Sequence, residues 1–332
     1  MKTNHNFLYS ITKLLIMIPV LFMVNTGCAK KEPVTSTGFF FDTVITITIY
    51  DSVDENLLDS CMELCSQYES LFSRTIEGSD IYRINHAQKK PVRVSPDTIS
   101  LLQKGIFYSE LSEGLFDITI APVSSLWRFT EDTPALPDNA ELKEAVSHVD
   151  YQSVLISGDT VTLSDENAQI DLGGIAKGYI ADRIKEYLIS RNIRHAIINL
   201  GGNVLTIGGR PDGTPFRVGI RKPFDEKNAI LTSIDVTGRS VVSSGSYERC
   251  FTLNDTLYHH ILNPSTGYPV DSGLSGVTVL TEHSVDGDAL STICFALGEE
   301  KGMELIRSLD GVDALFVHMD GTVSATFPLT LK

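Results

Sequence analysis

Cysteine is scarce in this chain, with five in 332 residues. No Cys-x-x-Cys and no His-x-x-x-His occurs, so neither a thiolate zinc cluster nor a helical histidine metal site is written in the sequence. So few cysteines in so long a chain also argue against a disulfide framework. Basic charge is short as well. The 27 Lys and Arg stand against 42 Asp and Glu, a formal net charge of −15, which argues against nucleic acid as a partner. Long apolar runs are missing too. The run from Leu14 to Val24 has 11 residues, too short for a spanning helix and suited to the core of an export signal.

What is present at the N-terminus fits export. Lys2 and Lys13 precede the apolar run, and small residues lead from it into Gly27-Cys28. A glycine before a cysteine here resembles a lipoprotein cleavage site, although Asn25 stands where leucine is usual. Residues 1–27 are therefore expected to be a signal peptide. Residues 28–37 are expected to be a lipidated N-terminus at Cys28 and a short polar tether containing Pro33. The folded domain is expected over 38–332. The protein would be extracytoplasmic and held to a membrane by lipid, two acyl chains giving firm anchoring where one does not; simple secretion is the alternative.

Hydrophobic periodicity predicts a mixture of strands and separated helices. Val44 to Tyr50 alternates valine or isoleucine with threonine, a strand. Leu57, Leu58, Cys61, Cys65, Tyr68, Leu71 and Phe72 form a helical stripe, with both cysteines as small core residues. Ser95-Pro96 opens a helix running to about Leu111. Thr130 to Asn139 reads as a loop, and Val154 to Leu163 as a hairpin around Gly158-Asp159. An amphipathic helix follows the glycines after Asp171 and runs to Ser190. Ala196 to Leu200 is a strand ended by Gly201-Gly202. Further strands are expected at Phe216–Ile220, Ile230–Val236, Arg239–Ser243, Thr252–Asn254, Leu274–Leu280 and Val312–His318. A long helical region from Asp286 to about Leu309 breaks near Gly298. Consecutive strands with separated helices predict α+β, not a regular βαβ alternation.

Four clusters could carry chemistry, and each has a plainer reading beside it. Asp171-Leu172-Gly173-Gly174-Ile175-Ala176-Lys177-Gly178 sits at a helix entry, where glycines admit a ligand close to the backbone and free N–H groups meet an anion. It could equally be a tight packed turn with a solvated lysine. Asp288 and Thr292 lie four apart on one helical face, hard oxygens suited to Mg²⁺, or Asp286 or Asp288 is simply a helix cap. Tyr258-His259-His260-Ile261-Leu262 places two histidines on opposite faces of a strand, so one could be a base, or both a surface pair. Gly114-Leu115-Phe116-Asp117-Ile118-Thr119, with Pro122 and Trp127, could frame a planar ring or belong to the core.

Taken together and in this order, these blocks resemble the ApbE family, the FAD:protein FMN transferases. The resemblance spans about Phe39 to Leu309 and adds Phe41-Asp42-Thr43, Phe72-Ser73, Ser79-Asp80-Ile81 to Asn85, and Asn199-Leu200-Gly201-Gly202-Asn203. It implies a T-fold-like architecture of mixed, largely antiparallel sheets with packed helices and an FAD site in a cleft between two subdomains. It implies Mg²⁺-dependent transfer of FMN from FAD to a Thr or Ser hydroxyl of exported target flavoproteins, with release of AMP. Phe41, Leu115, Phe116 and Asp117 would line the flavin pocket, and Asp171, Lys177 and Leu262 would contact FAD. Asp288 and Thr292 would hold Mg²⁺ with the backbone oxygens of Gly174 and Ser291. His260 stands where the family's suspected base stands. Thr75 occupies a place often held by a tyrosine that covers the FAD, and Asn263 replaces an aspartate in what is expected to be a structural role. Hydrolysis of FAD to FMN and AMP, or storage of FAD by a lipoprotein without catalysis, are the other readings.

Overall fold

The computed structural model describes residues 32–54, 56–129, 134–225 and 229–329. Eight strands pair antiparallel in one sheet. Their order is β1 (Val34–Phe40), β2 (Thr43–Ile49), β6 (Ala196–Leu200), β7 (Asn203–Ile207), β10 (Ser240–Gly245), β13 (Leu274–Thr281), β14 (Asp313–His318) and β15 (Val323–Ala325). Three small antiparallel sheets join β3 (Val92–Arg93) and β4 (Val154–Ser157) to β5 (Thr160–Leu163), β8 (Phe216–Arg221) to β9 (Ile230–Val236), and β11 (Cys250–Leu253) to β12 (Thr256–His259). The helices are α1 (Asn56–Phe72), α2 (Asp80–Asn85), α3 (Pro96–Leu111), α4 (Ala121–Ser124), α5 (Asn139–Val146), α6 (Ala176–Ser190), α7 (Ser284–Leu297) and α8 (Glu299–Arg307). The expected α+β class is the class observed. From Pro33 onward the chain is one compact unit, so the two expected subdomains are parts of a single packed body.

The alternation in β2 does what its chemistry demands. Ile45, Ile47 and Ile49 are fully buried, while on the other face the hydroxyls of Thr46 and Thr48 meet those of Thr37 and Thr35 across the β1 pairing. This pairing corrects the expected tether, because Val34–Thr37 already belong to β1. Cys28 lies outside the described residues. Cys61 and Cys65 are buried in α1 as free thiols, and burial pushes both up to about 12. Ser95 caps α3 with Pro96 in its first turn. The hairpin between β6 and β7 turns on Gly201 and Gly202 alone, both at positive φ, as a two-residue loop requires. The hairpin between β11 and β12 turns on Asn254 (φ 50°) and Asp255 (φ 61°).

The centre of the molecule is the crossing of α6 and α7 over the main sheet. Gly178 sets how near they come. A Cβ there would stand 2.3 Å from the Ser284 carbonyl oxygen and 2.6 Å from Val285 Cα. Neither helix has a side-chain cap of its own, since Ile175 and His283 occupy the N-cap positions without such a bond. Each helix caps the other instead. Asp182 on α6 accepts from the N–H groups of Ser284 (2.8 Å) and Val285 (2.9 Å), and Asp288 on α7 accepts from the N–H of Gly178 (2.8 Å). The first N–H groups of a helix have no partner within it, and these are buried. Asp286, by contrast, turns to α3, accepting from Lys104 Nζ (3.0 Å) and Tyr108 Oη (2.7 Å).

Gly178→Ala should therefore lower the midpoint of urea unfolding, overpacking costing about 1–3 kcal/mol. Asp182→Ala should do the same by leaving two buried N–H groups without acceptors, at about 1–3 kcal/mol each. Unchanged midpoints in both variants would show that the crossing does not carry this strain.

Candidate active site

The loop before α6 is held from three sides. Asp171 Oδ1 accepts from the Gly173 N–H at 2.8 Å, and Asp171 Oδ2 pairs with Arg74 Nε at 3.2 Å. Lys177 Nζ donates back to the Gly173 carbonyl at 3.3 Å. Gly174 lies against Phe116, whose Cε2 would be 2.9 Å from a Cβ placed there. Two of the clusters separated in sequence thus meet: the aromatic of Leu115-Phe116-Asp117 packs on the glycine turn. Leu115 is half-buried and Phe116 buried.

Asp117 braces the turn that carries Phe116. Its carboxylate is buried, Oδ1 accepting within its own turn from Thr119 N–H (2.7 Å) and Thr119 Oγ1 (2.6 Å) and Oδ2 accepting from the sequence-distant Tyr151 N–H (3.0 Å). Burial pushes this carboxyl up, against the hydrogen bonds of Thr119 and Tyr151. The side chain braces the backbone that presents Leu115 and Phe116. Trp127 is likewise core, buried with Val123, Leu142, Phe251 and Leu262.

On α7, Asp288 is buried, and its Oδ2 is the oxygen bound to Gly178. Oδ1 takes no hydrogen bond from the described residues. Beside it stand Ser291 and Thr292, whose hydroxyls lie 2.7 and 3.2 Å from Ser244 Oγ on β10. One carboxylate with hydroxyl and carbonyl oxygens suits Mg²⁺, which completes its shell with water and substrate phosphates. Among the described residues no three His, Cys, Asp or Glu side chains group as a metal cage, so a cation here would share its shell with a ligand.

The strand expected to hold both histidines ends at His259, and His260 stands in the bend just beyond it. His259 is buried, its Nε2 3.0 Å from the Val270 carbonyl and its ring edge-on to Phe295. His260 is half-buried, with Nδ1 3.0 Å from the Glu248 carbonyl. A carbonyl can only accept, so Nδ1 carries the proton and Nε2 the lone pair. Burial above all, with the positive charges of Arg249 and Lys177, drops the His260 pKa to about 4. The same field links the rest. Burial pushes the Glu248 carboxyl up, Lys177, Arg221 and Arg249 pull it down, and Asp288 pushes it up. Lys177, Asp288, Glu248 and His260 thus share one electrostatic neighbourhood.

The loop after His260 is seated by Trp127 Nε1, which donates to the Gly267 carbonyl at 2.8 Å. Asn263 accepts from the Ser265 N–H at 2.8 Å, the structural role expected of it. Leu262 is buried and bridges to Pro269. Phe41 lies at the β1–β2 turn at positive φ, its N–H bound to Glu69 Oε1 at 2.6 Å. Thr75 is exposed, its hydroxyl 3.1 Å from Ser73 Oγ. No hydrogen bond joins Phe41 or Thr75 to the glycine loop among the described residues, but Arg74 beside Thr75 does join it. Ser244 and Glu248 escaped the sequence reading. The signal was the run Ser243-Ser244-Gly245-Ser246-Tyr247-Glu248-Arg249, small polar residues leaving a strand.

An antiparallel α+β body gathers hard oxygens, a lysine and a neutral imidazole where two helix N-termini cross, an arrangement fitted to anionic phosphate chemistry. The ApbE family model matches residues 41–316, and the chain belongs to the ApbE family. It is 37% identical over 284 residues to a FAD:protein FMN transferase of Klebsiella pneumoniae (strain 342), covering 85% of this chain and 88% of that one. It is 34% identical over 285 residues to the FAD:protein FMN transferase of Treponema pallidum (strain Nichols), covering 81% and 79%. The fold superposes on the ApbE protein of Thermotoga maritima with a TM-score of 0.81 at 30% identity, over 88% of this chain and 96% of that one. On the flavin transferase ApbE from Vibrio cholerae the TM-score is 0.79 at 26% identity, over 89% and 96%.

A titration tests the imidazole assignment. An ordinary histidine titrates near 6.5, so between that pH and about 4 the folded chain keeps His260 neutral while the unfolded chain protonates it. The group therefore costs stability as pH falls through that window; at neutral pH its Nε2 is unprotonated, and as a base it is weaker than an imidazole of pKa near neutral. NMR of the metal-free, FAD-free protein should place the His260 midpoint near 4; a midpoint near 6.5 would remove the assignment.

Proposed function

We propose that this chain is a Mg²⁺-dependent FAD:protein FMN transferase acting on exported flavoproteins. The observation that carries the reading is the juxtaposition of Asp288, Lys177 and the neutral His260 around one anion-suited turn. FAD is the substrate. A Thr or Ser hydroxyl of the target attacks the phosphorus on the FMN side of the pyrophosphate, the phosphoanhydride bond breaks, and AMP leaves. Nε2 of His260 takes the hydroxyl proton as the new phosphoester forms, an effect worth about 10²–10⁴-fold. Lys177 meets the phosphate charge, and the N–H groups of the loop before α6 orient the anion. Asp288 and Thr292, with the carbonyls of Gly174 and Ser291, would hold Mg²⁺, which when bound neutralises charge on the phosphates and leaving group. Phe116 on Gly174 supplies an apolar wall for the flavin end. The exposed Thr75, where a larger side chain would cover the substrate, supports hydrolysis of FAD to FMN and AMP as a competing reaction.

Incubation with FAD, Mg²⁺ and an exported flavoprotein domain should give a fluorescent target band that survives a denaturing gel. Asp288→Ala should abolish the band, and His260→Ala should slow its formation by about 10²–10⁴-fold while FAD still binds. Accumulation of FMN with no labelled target would leave hydrolysis alone; wild-type rates in Asp288→Ala would end the metal reading.

We further propose export and a lipid on Cys28. The 11-residue apolar run and Gly27-Cys28 support it. Covalent attachment has a purpose outside the cytoplasm, where FAD held by hydrogen bonds alone would be lost and not resupplied. Mass spectrometry of the mature N-terminus should find a diacylglyceryl-modified cysteine at position 28; an unmodified start would leave simple secretion.

A further inference from the structure

The even-numbered side chains of β10 follow α7 along its length. Ser240 Oγ donates to Ser284 Oγ at 2.8 Å. Val242 Cγ2 would stand 3.0 Å from a Cβ on Gly287. Ser244 Oγ then reaches both Ser291 Oγ (2.7 Å) and Thr292 Oγ1 (3.2 Å). The strand thus ends against the hydroxyl at which a cation ligand is proposed.

The direction of these hydrogen bonds follows from counting protons. Each hydroxyl has one to give. Ser291 Oγ donates to the Asp288 carbonyl at 3.0 Å, so in its 2.7 Å contact with Ser244 it can only accept. Ser244 has then given its single proton to Ser291, and toward Thr292 it can only accept. The other acceptor near Thr292 Oγ1 is the Asp288 carbonyl, longer at 3.5 Å, so the nearer acceptor is Ser244 Oγ at 3.2 Å. On the shorter contacts, protons run from Thr292 to Ser244, from Ser244 to Ser291, and from Ser291 to the Asp288 carbonyl.

We propose that Ser244 is a positioning residue for the cation site: by accepting the Thr292 hydroxyl proton it turns the threonine lone pairs toward Mg²⁺. This rests on the metal role proposed for Asp288 and Thr292. A neutral hydroxyl is a weak donor to a cation unless its proton points away, and Ser244 fixes that direction before any cation arrives. Outer partners of this kind govern metal affinity as well as geometry. Ser291 contributes at two places, its carbonyl as a proposed ligand and its hydroxyl as the relay's next member.

The test is direct metal binding. Mn²⁺ is titrated into the FAD-loaded protein, and free Mn²⁺ is read by electron paramagnetic resonance. Ser244→Ala and Ser244→Val should weaken Mn²⁺ binding by about 10–100-fold, while Ser244→Thr, the same shape as Val with a hydroxyl, should bind close to wild type. Ser243→Ala, which removes a hydroxyl 2.8 Å from Thr278 instead, should leave Mn²⁺ binding unchanged, and FAD affinity without metal should hold throughout. Wild-type affinity in Ser244→Ala, or equal affinity in the Thr and Val variants, would overturn the relay. A wild-type protein that binds no Mn²⁺, or binds it as well after Asp288→Ala, would overturn the metal reading beneath it.

Discussion

Asp182 and Asp288 each sit on one helix and take up the free N–H groups at the start of the other. The exchange needs both helices to begin at the same place, and that needs Gly178, where any side chain would meet the backbone of Ser284 and Val285. Charge-assisted hydrogen bonds of this kind contribute about 1.5–3 kcal/mol each, and the positive ends of two helix dipoles keep two buried carboxylates compatible. Once the crossing is fixed, much else is placed. The start of α6 carries Lys177 and the loop of Gly173 and Gly174. The third turn of α7 carries Ser291 and Thr292 over β10. The site is assembled by the contact that holds the helices together, and Asp288 belongs to both.

Charge is distributed against the overall balance. The chain carries a net −15, yet Lys177, Arg221 and Arg249 all bear on Glu248, and two of them on His260. These cations make a local cluster of positive charge within an acidic molecule, of a kind that draws anions. Burial first, and Arg249 and Lys177 after it, hold His260 unprotonated, so two of the cations bear on both groups.

Much of this was legible in the sequence because it lives in local patterns. The period-2 alternation of β2, the Ser95-Pro96 opening of α3, the Gly201-Gly202 turn and the break at Gly298 were all read from neighbours in the chain. The misses have physical reasons. Val34–Thr37 read as a tether because polar threonine and serine at an edge strand look like linker; only pairing with β2 makes them a strand. The partner that braces Asp117 from outside its own turn is Tyr151, 34 residues away, which no local pattern reveals. Ser244 is one serine among several, and its meaning comes from α7, whose residues follow it by more than forty positions.

The hairpin of β11 and β12 gives two adjacent imidazoles different surroundings. Asn254 and Asp255 hold its turn at positive φ, pairing Leu253 with Thr256 and so Cys250 with His259. In a strand every second side chain shares a face, and a slip of one residue exchanges the faces throughout. His259 ends β12 paired with Cys250, and His260 follows directly, so the pairing of β12 with β11 sets the surroundings of both rings. The two histidines are chemically identical, and which of them stands as the proposed base is decided by register: a one-residue slip of β12 along β11, altering no active-site residue, would change the surroundings of both.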